Sequence, residues 1–301
     1  MSEQSTNFQS YPLLDRWVAD FNAQQNIDEP ASEMVIVHHI YEREQGLPGS
    51  CLFFYGGHVF ELDDPQIAIM KKQFAAWVQD TEGTPRLFRG EGRIPYLPTN
   101  ADETFCISSD RGEIALLALW AKQCNILAES LECPIAVQAA EMQKPEHGAH
   151  SQDSLFYYYV ARQLPQGLKS LHLGQVTPGE YVWAMECMQA YLLLTIDRLS
   201  KEFDWPDFDF TYDRFVRIHD QLYPGVALNT MDSAFFRQET MSNIYQPNSQ
   251  IQHVANSVNL HRDEYASILI TDDMKLGKQV FAAMGSMHFQ NMHSLGSRYI
   301  H

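Results

Sequence analysis

Two short apolar segments, each closed by glycine and followed by a histidine, constrain the fold of this chain more than any other feature. Segment 280–288 runs from Val-Phe-Ala-Ala-Met through Gly-Ser-Met to His288, and segment 51–58 runs from Cys-Leu-Phe-Phe-Tyr through Gly-Gly to His58. Short apolar runs that end at glycine predict buried β-strands. Open α/β sheets place their sites outside the carboxyl ends of the strands, so we expect the two imidazoles to meet at one edge of a sheet.

Each histidine has two interpretations. An imidazole beside a strand end acts as a general base or as a metal ligand, because its pKa lies near neutrality. In the other interpretation it is a loop residue that only forms a hydrogen bond. Gly56 and Gly57 are expected to turn the backbone sharply before His58 by adopting positive φ angles. Together, His58 and His288 argue for a function more strongly than either histidine does alone.

Strand-like and helix-like segments alternate along the first 135 residues, and this order predicts the fold class. An alternating pattern favours an α/β fold with a mostly parallel central sheet and helices on both faces. The middle of the chain is predicted to be helical, so we expect a single α/β domain over 1–301 with a helical insertion at 140–250. The predicted strands are 33–40, 51–55, 86–89, 125–132 and 279–284, and the predicted helices include 11–23, 64–79, 110–121, 177–203, 212–222, 231–238 and 259–275.

Three charged side chains are candidates for a site near the histidines. Glu91 stands between glycines after a predicted strand, where it polarises a histidine or binds a substrate hydroxyl; the alternative is a solvated turn residue. Glu113 opens the most buried predicted helix, either as a catalytic carboxylate or as an N3 capping residue. Arg262 precedes Asp263 on a predicted helix, and only one of these neighbours is expected to point into a cleft. A guanidinium there would clamp a carboxylate bidentately, whereas the alternative is ordinary surface charge.

The charge of the chain limits its partners. Lysine and arginine total 21 against 38 acidic residues, a net charge of −17, which argues against nucleic acid and anionic membranes. Five cysteines without a Cys-x-x-Cys pair fit a reducing compartment. The sequence shows no signal peptide and no bilayer-spanning apolar run, so we expect a cytoplasmic protein. The expected partner is a small-molecule or peptide substrate, with room for a protein partner.

Four groups of residues, in chain order, carry a resemblance to a known family. The first three are the turn at 56–58, the strand and glutamate at 87–92, and the helix and strand at 111–121 and 126–134. The fourth is the Arg262-Asp263 dipeptide of a predicted helix together with the segments 277–281 and 285–288 that follow it. This set resembles the erythromycin-esterase-like and ChaN-like proteins, and more loosely the TraB/Tiki superfamily. The likeness covers about half of the chain. It departs from the family pattern at His58, because the glutamate of the usual Gly-Glu-x-x-His-Gly is missing.

The resemblance implies a cleft in which histidines and glutamates converge. Esterase members of the group activate water with a histidine base and no metal. Tiki members use Gly-x-x-His histidines in a metallopeptidase, and ChaN-like members are linked to haem or iron.

These observations lead to three predicted functions. In the first, a hydrolase without a cofactor uses His58 or His288 to take a proton from water, Glu91 to orient that histidine and Arg262 to stabilise negative charge. In the second, His58, His288 and Glu91 bind a divalent metal for a metal-dependent hydrolase or peptidase. In the third, the chain is a non-catalytic binding or effector protein that retains the fold, which the missing glutamate beside His58 favours.

Overall fold

The computed structural model of the chain describes most of the sheet and the helices around it. The described residues are 36–40 (as backbone), 47–57, 61–107, 112–162, 192–224, 250–285, 288 and 292. They all lie in one compact unit that spans residues 35–301. His58 and the predicted helices 11–23 and 231–238 lie outside the described residues.

Within the described residues, the sheet has five strands, of which four are parallel. Their order across the sheet is β1-β2-β5-β3-β4. Strand β1 lies at one edge and pairs with β2 in antiparallel fashion, whereas β2, β5, β3 and β4 pair in parallel. This arrangement confirms the predicted mostly parallel sheet. The strands are β1 (Ile36–Ile40), β2 (Ser50–Gly56), β3 (Arg86–Gly90), β4 (Leu127–Ser130) and β5 (Gln279–Gly285).

Helices account for the rest of the regular structure in the described residues. Between β4 and β5 these residues form helices and no strand, which confirms that the middle of the chain is helical, while the bounds 140–250 stay a prediction. None of the described helices has both the length and the apolar composition that a bilayer span requires. The helices are α1 (Pro65–Asp80), α2 (Glu103–Cys106), α3 (Gly112–Gln123), α4 (Ile135–Met142), α5 (Gln152–Ala161), α6 (192–202), α7 (Tyr212–Leu222) and α8 (Gln250–Lys275).

Helices α1 and α3 cover one face of the sheet. Asp64 caps α1 through its side chain, which accepts a hydrogen bond from the backbone of Gln66 at 2.8 Å. The ring of Phe74 in α1 packs edge-on against Phe281 of β5, with 5.1 Å between the ring centroids. Phe74 and Phe281 belong to a cluster of buried apolar residues, and the buried apolar residues of α3 belong to the same cluster. Burial of these side chains is the main force that holds the two helices on the sheet.

The opposite face carries α8, which is fastened by a buried ion pair. The guanidinium of Arg89 in β3 donates to the carboxylate of Asp273 in α8 at 2.7 Å and 2.8 Å, and it also contacts Glu129 of β4 at 2.8 Å. Arg89 and Asp273 are both buried. Because an unpaired buried charge is costly, this pair fixes the position of α8 along the sheet. Helices therefore cover both faces, as the sequence predicts.

A second core holds the helical middle together. Helix α5 is buried along almost its whole length, from Ser154 to Ala161. Its Tyr157 stacks on Phe215 of α7 at 5.2 Å between ring centroids, and its Phe156 contacts Phe208 at the same separation. Residues of α4, α6 and the first half of α8 complete this cluster. Helix α8 is thus shared between the aromatic core and the sheet.

Candidate functional site

Glu91 lies at the carboxyl end of β3, held there by the sheet itself. Its backbone N–H donates to the carbonyl of Ala283 at 2.8 Å, which extends the pairing of β3 with β5 by one residue. The preceding Gly90 lets Ile114 of α3 pack against this strand end, because a Cβ there would come within 2.8 Å of the Ile114 side chain. The Glu91 side chain is 15% exposed. It is therefore a directed, mostly buried carboxylate and not a solvated turn residue.

The end of β5 supplies two contacts to this carboxylate. The backbone N–H of Gly285 donates to Oε2 of Glu91 at 2.6 Å. Nε2 of His288 lies 3.1 Å from Oε1 of Glu91. A Cβ on Gly285 would lie only 3.2 Å from Oε2, so glycine permits the close approach. The carboxyl ends of two neighbouring parallel strands thus bring His288 and Glu91 together, in the place where α/β sheets build their sites.

Helix α8 contributes two neighbouring residues to the same cluster. Asp263 is fully buried, and its Oδ1 lies 2.5 Å from Nδ1 of His288. Nη2 of Arg262 donates to Oε1 of Glu91 at 3.0 Å. The prediction that only one of the pair faces the cleft is wrong. The long Arg262 side chain reaches the ends of β3 and β4, while the short Asp263 side chain meets His288 directly, so residues that point in different directions still join one network.

A second glutamate, which the sequence reasoning missed, completes the network. Glu132 follows β4, and its Oε2 accepts a hydrogen bond from Nε of Arg262 at 3.0 Å; Nη2 of Arg262 also contacts Oε1. The backbone N–H of Gly92 donates to Oε1 of Glu132 at 3.2 Å, and Ser130 links the same two residues through its hydroxyl. Arg262 is therefore held in a fork by Glu132 and reaches Glu91 with the same guanidinium.

The network keeps His288, Glu91 and Arg262 charged at neutral pH. Burial disfavours the imidazolium of His288, yet the hydrogen bonds and charges of Asp263 and Glu91 outweigh it and raise the pKa of His288 to about 9. Burial likewise opposes the ionised form of Glu91. This effect is outweighed by the hydrogen bond and charge of His288, the charge of Arg262 and the hydrogen bond from the Gly285 N–H, which together hold the pKa of Glu91 well below its ordinary range. For Arg262, the carboxylates of Glu132 and Glu91 overcome burial and raise its pKa above the ordinary value.

The chain is described up to Gly57, the residue before His58. The side-chain amide of Gln66 clamps Gly57, donating to its carbonyl at 2.8 Å and accepting from its N–H at 3.0 Å. Gly56 pairs in register with Gly285, so β2 ends beside the strand that leads to His288. The predicted positive φ at Gly56 and Gly57 is wrong, because the positive-φ glycines among the described residues are others. Gly56 instead provides space, since a Cβ would lie 2.7 Å from the Gln66 amide.

Glu113 is buried in the first turn of α3. Glu113 is not a partner in the hydrogen bonds of Glu91, His288 and Arg262 described above. A capping box would pair Glu113 with Asp110, three residues earlier in the sequence, and Asp110 lies outside the described residues. Both roles suggested for Glu113 stay predictions.

The predicted metal set of His58, His288 and Glu91 also stays a prediction, because His58 is not described. Both ring nitrogens of His288 lie beside carboxylate oxygens. A doubly protonated imidazole has no lone pair for a metal. Metal binding there would need His288 to lose a proton and to leave one of these two carboxylates.

Comparison of the chain with protein-family models, with curated proteins and with solved structures finds no match.

Proposed function

We propose that this chain is a hydrolase in which His288 transfers a proton at the carboxyl edge of the sheet. The observation that supports this most is the Asp263–His288–Glu91 chain, with 2.5 Å from Nδ1 to Asp263 and 3.1 Å from Nε2 to Glu91. A buried carboxylate on Nδ1 fixes the orientation of an imidazole and stabilises its cation, as in hydrolases that use a histidine–aspartate pair. The side chain of His288 is 12% exposed, so Nε2 belongs to a largely desolvated site.

The charge of His288 assigns the two histidines different roles. With its pKa raised to about 9, His288 is an imidazolium at neutral pH. It acts as the general acid: Nδ1 stays on Asp263, and the Nε2–H turns from Glu91 to the substrate, where it donates its proton to the leaving group or stabilises the negative charge of the tetrahedral intermediate. The base that accepts the proton of water is His58, the next residue in the sequence after Gly57, which Gln66 clamps at the end of β2.

Glu91 and Arg262 act as positioning groups in this scheme. Glu91 holds Nε2 of His288 and is itself held by Arg262 and by the backbone of Gly285. Arg262 contacts two carboxylates of the protein. Its positive charge is therefore neutralised by Glu91 and Glu132, so Arg262 acts on the reaction through Glu91 and does not contact the substrate.

The charge balance of the site favours a neutral substrate. Three carboxylates, Glu91, Glu132 and Asp263, face two cations, Arg262 and His288, which gives −3 + 2 = −1. The whole chain carries −17, so anionic substrates are repelled at a distance as well. We propose uncharged esters or peptide-like acyl compounds as the substrate class, with water as the second reactant and no metal, in a cytoplasmic protein.

The proposal is tested with a panel of neutral chromogenic esters, including p-nitrophenyl acetate and p-nitrophenyl butyrate. We expect His288→Ala and His58→Ala each to lower kcat/KM by about 100-fold or more, since a positioned acid or base contributes at least that much. In wild type, kcat/KM should fall as pH rises through about 9, where His288 loses its proton. His253→Ala is the matched control, because His253 is an exposed histidine of α8.

Two results would count against the proposed mechanism. If both variants hydrolyse the esters as fast as wild type, neither histidine takes part. If activity instead rises through pH 9, His288 works as the base and the two roles are reversed.

One observation favours a second candidate function, a non-catalytic binding or effector protein. Opposite charges within the network already neutralise one another, because Arg262 bridges Glu91 and Glu132 while His288 bridges Glu91 and Asp263. Such a network works equally well as a structural clasp between α8 and the strand ends. This function gains support if wild type hydrolyses no ester of the panel while His288→Ala lowers the free energy of unfolding.

A further inference from the structure

A group of metal-ligating side chains lies on another face of α8, where His261 and Glu264 flank the Arg262-Asp263 pair of the proposed hydrolytic site. His147, His261 and Glu264 each offer one ligand atom, and these atoms all lie within 4.8 Å of one another. All three residues are half-buried, so the donors are partly shielded and still open to an ion from solvent. The rings of His147 and His261 meet edge to face, with 5.4 Å between their centroids.

The local fold explains why these donors meet. His261 and Glu264 are three residues apart on α8, a spacing that puts both side chains on one face of a helix. His147 ends a 3₁₀ turn, Pro145–His147, that follows α4. Gly148 closes this turn in the left-handed region, with φ of 104°.

A separate contact docks the turn on α8. Nε2 of His150 lies 2.9 Å from the hydroxyl of Ser257, one helical turn before His261. The backbone N–H of His150 also donates to the carbonyl of Met142 at 2.9 Å, which folds the segment back onto α4. The position of His147 over α8 is thus set by contacts that do not involve a metal, and the three donors are brought together in advance.

We propose that His147, His261 and Glu264 bind a divalent transition-metal ion of the zinc class. Two imidazoles and one carboxylate suit zinc, which takes such donors at about 2.0–2.2 Å in a tetrahedral arrangement. Donors around a tetrahedral zinc are then about 3.4 Å apart, so the cluster needs only small rotations of side chains to close on the ion. Three protein ligands leave a fourth position for water.

Neighbouring groups favour a cation of this type. Oε2 of Glu141 lies 3.7 Å from Nε2 of His147 and adds negative charge beside the cluster. Sγ of Cys133 lies 3.7 Å from Nε2 of His261, which places a soft donor at its edge. Imidazole and sulfur donors select zinc-class ions over magnesium and calcium, which prefer sites made of oxygen alone. The ion would join the turn after α4 to α8.

The test is the binding of zinc to the full chain, measured by metal analysis and by competition with a chromogenic chelator. We expect one zinc ion per wild-type chain. His147→Ala and Glu264→Gln each remove one of three ligands, so each should weaken zinc binding by more than about 100-fold, beyond the loss typical of outer-shell changes. His253→Ala, the exposed histidine of the same helix, should bind zinc as wild type does.

A second measurement separates loss of the site from loss of the fold. Zinc that binds only the folded state raises the melting temperature. We expect that rise in wild type and in His253→Ala, and no rise in Glu264→Gln, whose own melting temperature without zinc should stay close to that of wild type.

Three results would overturn the metal site. They are the absence of stoichiometric zinc in wild type, unchanged zinc binding in His147→Ala and Glu264→Gln, and loss of zinc in His288→Ala with retention in His147→Ala. The last result would assign the ion to the hydrolytic residues. The proposed hydrolysis uses other side chains and would stand or fall by its own assay.

Discussion

His288 is the residue whose surroundings change its chemistry most. A free imidazole is mostly neutral at pH 7, but here each ring nitrogen lies beside a carboxylate oxygen, of Asp263 on one side and Glu91 on the other. Two flanking negative charges outweigh the cost of burying the cation, so the ring keeps its proton. The same imidazole that the sequence presents as a base is therefore better suited to donate a proton.

Gly285 tests how tightly Glu91 must be held. In Gly285→Ala the new Cβ would lie 3.2 Å from Oε2 of Glu91 and 3.7 Å from the ring of His288, so the carboxylate has to move by a few tenths of an ångström. We expect kcat/KM for ester hydrolysis to fall by about tenfold, since misplacement of about 1 Å costs about 100-fold. The backbone of Gly285 does not have a positive φ, so alanine adds no backbone strain.

Urea unfolding of the same variant gives the control. The free energy of unfolding should change little in Gly285→Ala, which separates an effect on the site from an effect on the fold. Wild-type activity in this variant would mean that the contact between Gly285 and Glu91 does not position a reacting group.

At the scale of elements, α8 connects the site to the sheet. Arg262 and Asp263 lie near the middle of this helix, and Asp273 lies near its end, where it meets Arg89 of β3. The ion pair and the site residues therefore share one rigid support of 26 residues, about 39 Å long. A shift of α8 along the sheet would move Arg262 and Asp263 away from Glu91 and His288.

Asp273→Asn tests this anchor. The change leaves the buried guanidinium of Arg89 with the half-exposed Glu129 as its remaining carboxylate, so the free energy of unfolding should fall by about 3 kcal/mol. Asp272→Asn is the matched control, since its side chain is exposed and its partner Lys275 is also exposed. That variant should change stability by less than about 1 kcal/mol. Equal stability of the two variants in urea unfolding would contradict an anchoring role for Asp273.

The elements followed from the sequence wherever the apolar pattern was regular. Strands β2, β3 and β5 and helix α1 were predicted within two residues of their observed bounds, because apolar runs and the Asp64-Pro65 start mark them. Helix α8 begins at Gln250, nine residues before the predicted start. Its first half packs into the aromatic core through side chains such as Val254 and Val258. Helix α4 was not predicted, since eight residues carry too little periodicity.

Only part of the site was available from the sequence. Glu91, His288 and Arg262 stand beside strand ends or in a motif, and all three join the network. Glu132 and Asp263 were missed, because a carboxylate that pairs with a distant cation leaves no local pattern. Their signals were positional: Glu132 follows a strand end as Glu91 does, and Asp263 adjoins Arg262. Long-range ion pairing decides such sites, and only the fold reveals it.

For the whole molecule, the site depends on the order of strands in the sheet. Strand β5 is the last of the described strands in sequence, yet it lies between β2 and β3 in the sheet. His288, which follows β5, therefore lies beside Glu91, a residue from the first half of the chain. The cations Arg262 and His288 sit among carboxylates in a chain of net charge −17. This acidic background supports the protonated state of His288 and disfavours anionic ligands.

An NMR titration of the His288 ring tests the central claim most directly, because it needs no substrate. The His288 signal is assigned by its loss in His288→Gln, and its pKa is then measured in wild type and in Asp263→Asn. We predict that wild-type His288 titrates at about 9 and that Asp263→Asn lowers this pKa, since the neutral amide no longer stabilises the imidazolium. A wild-type pKa near 6.5, or the same pKa in both proteins, would contradict the proposed role of His288 as a proton donor held between two carboxylates.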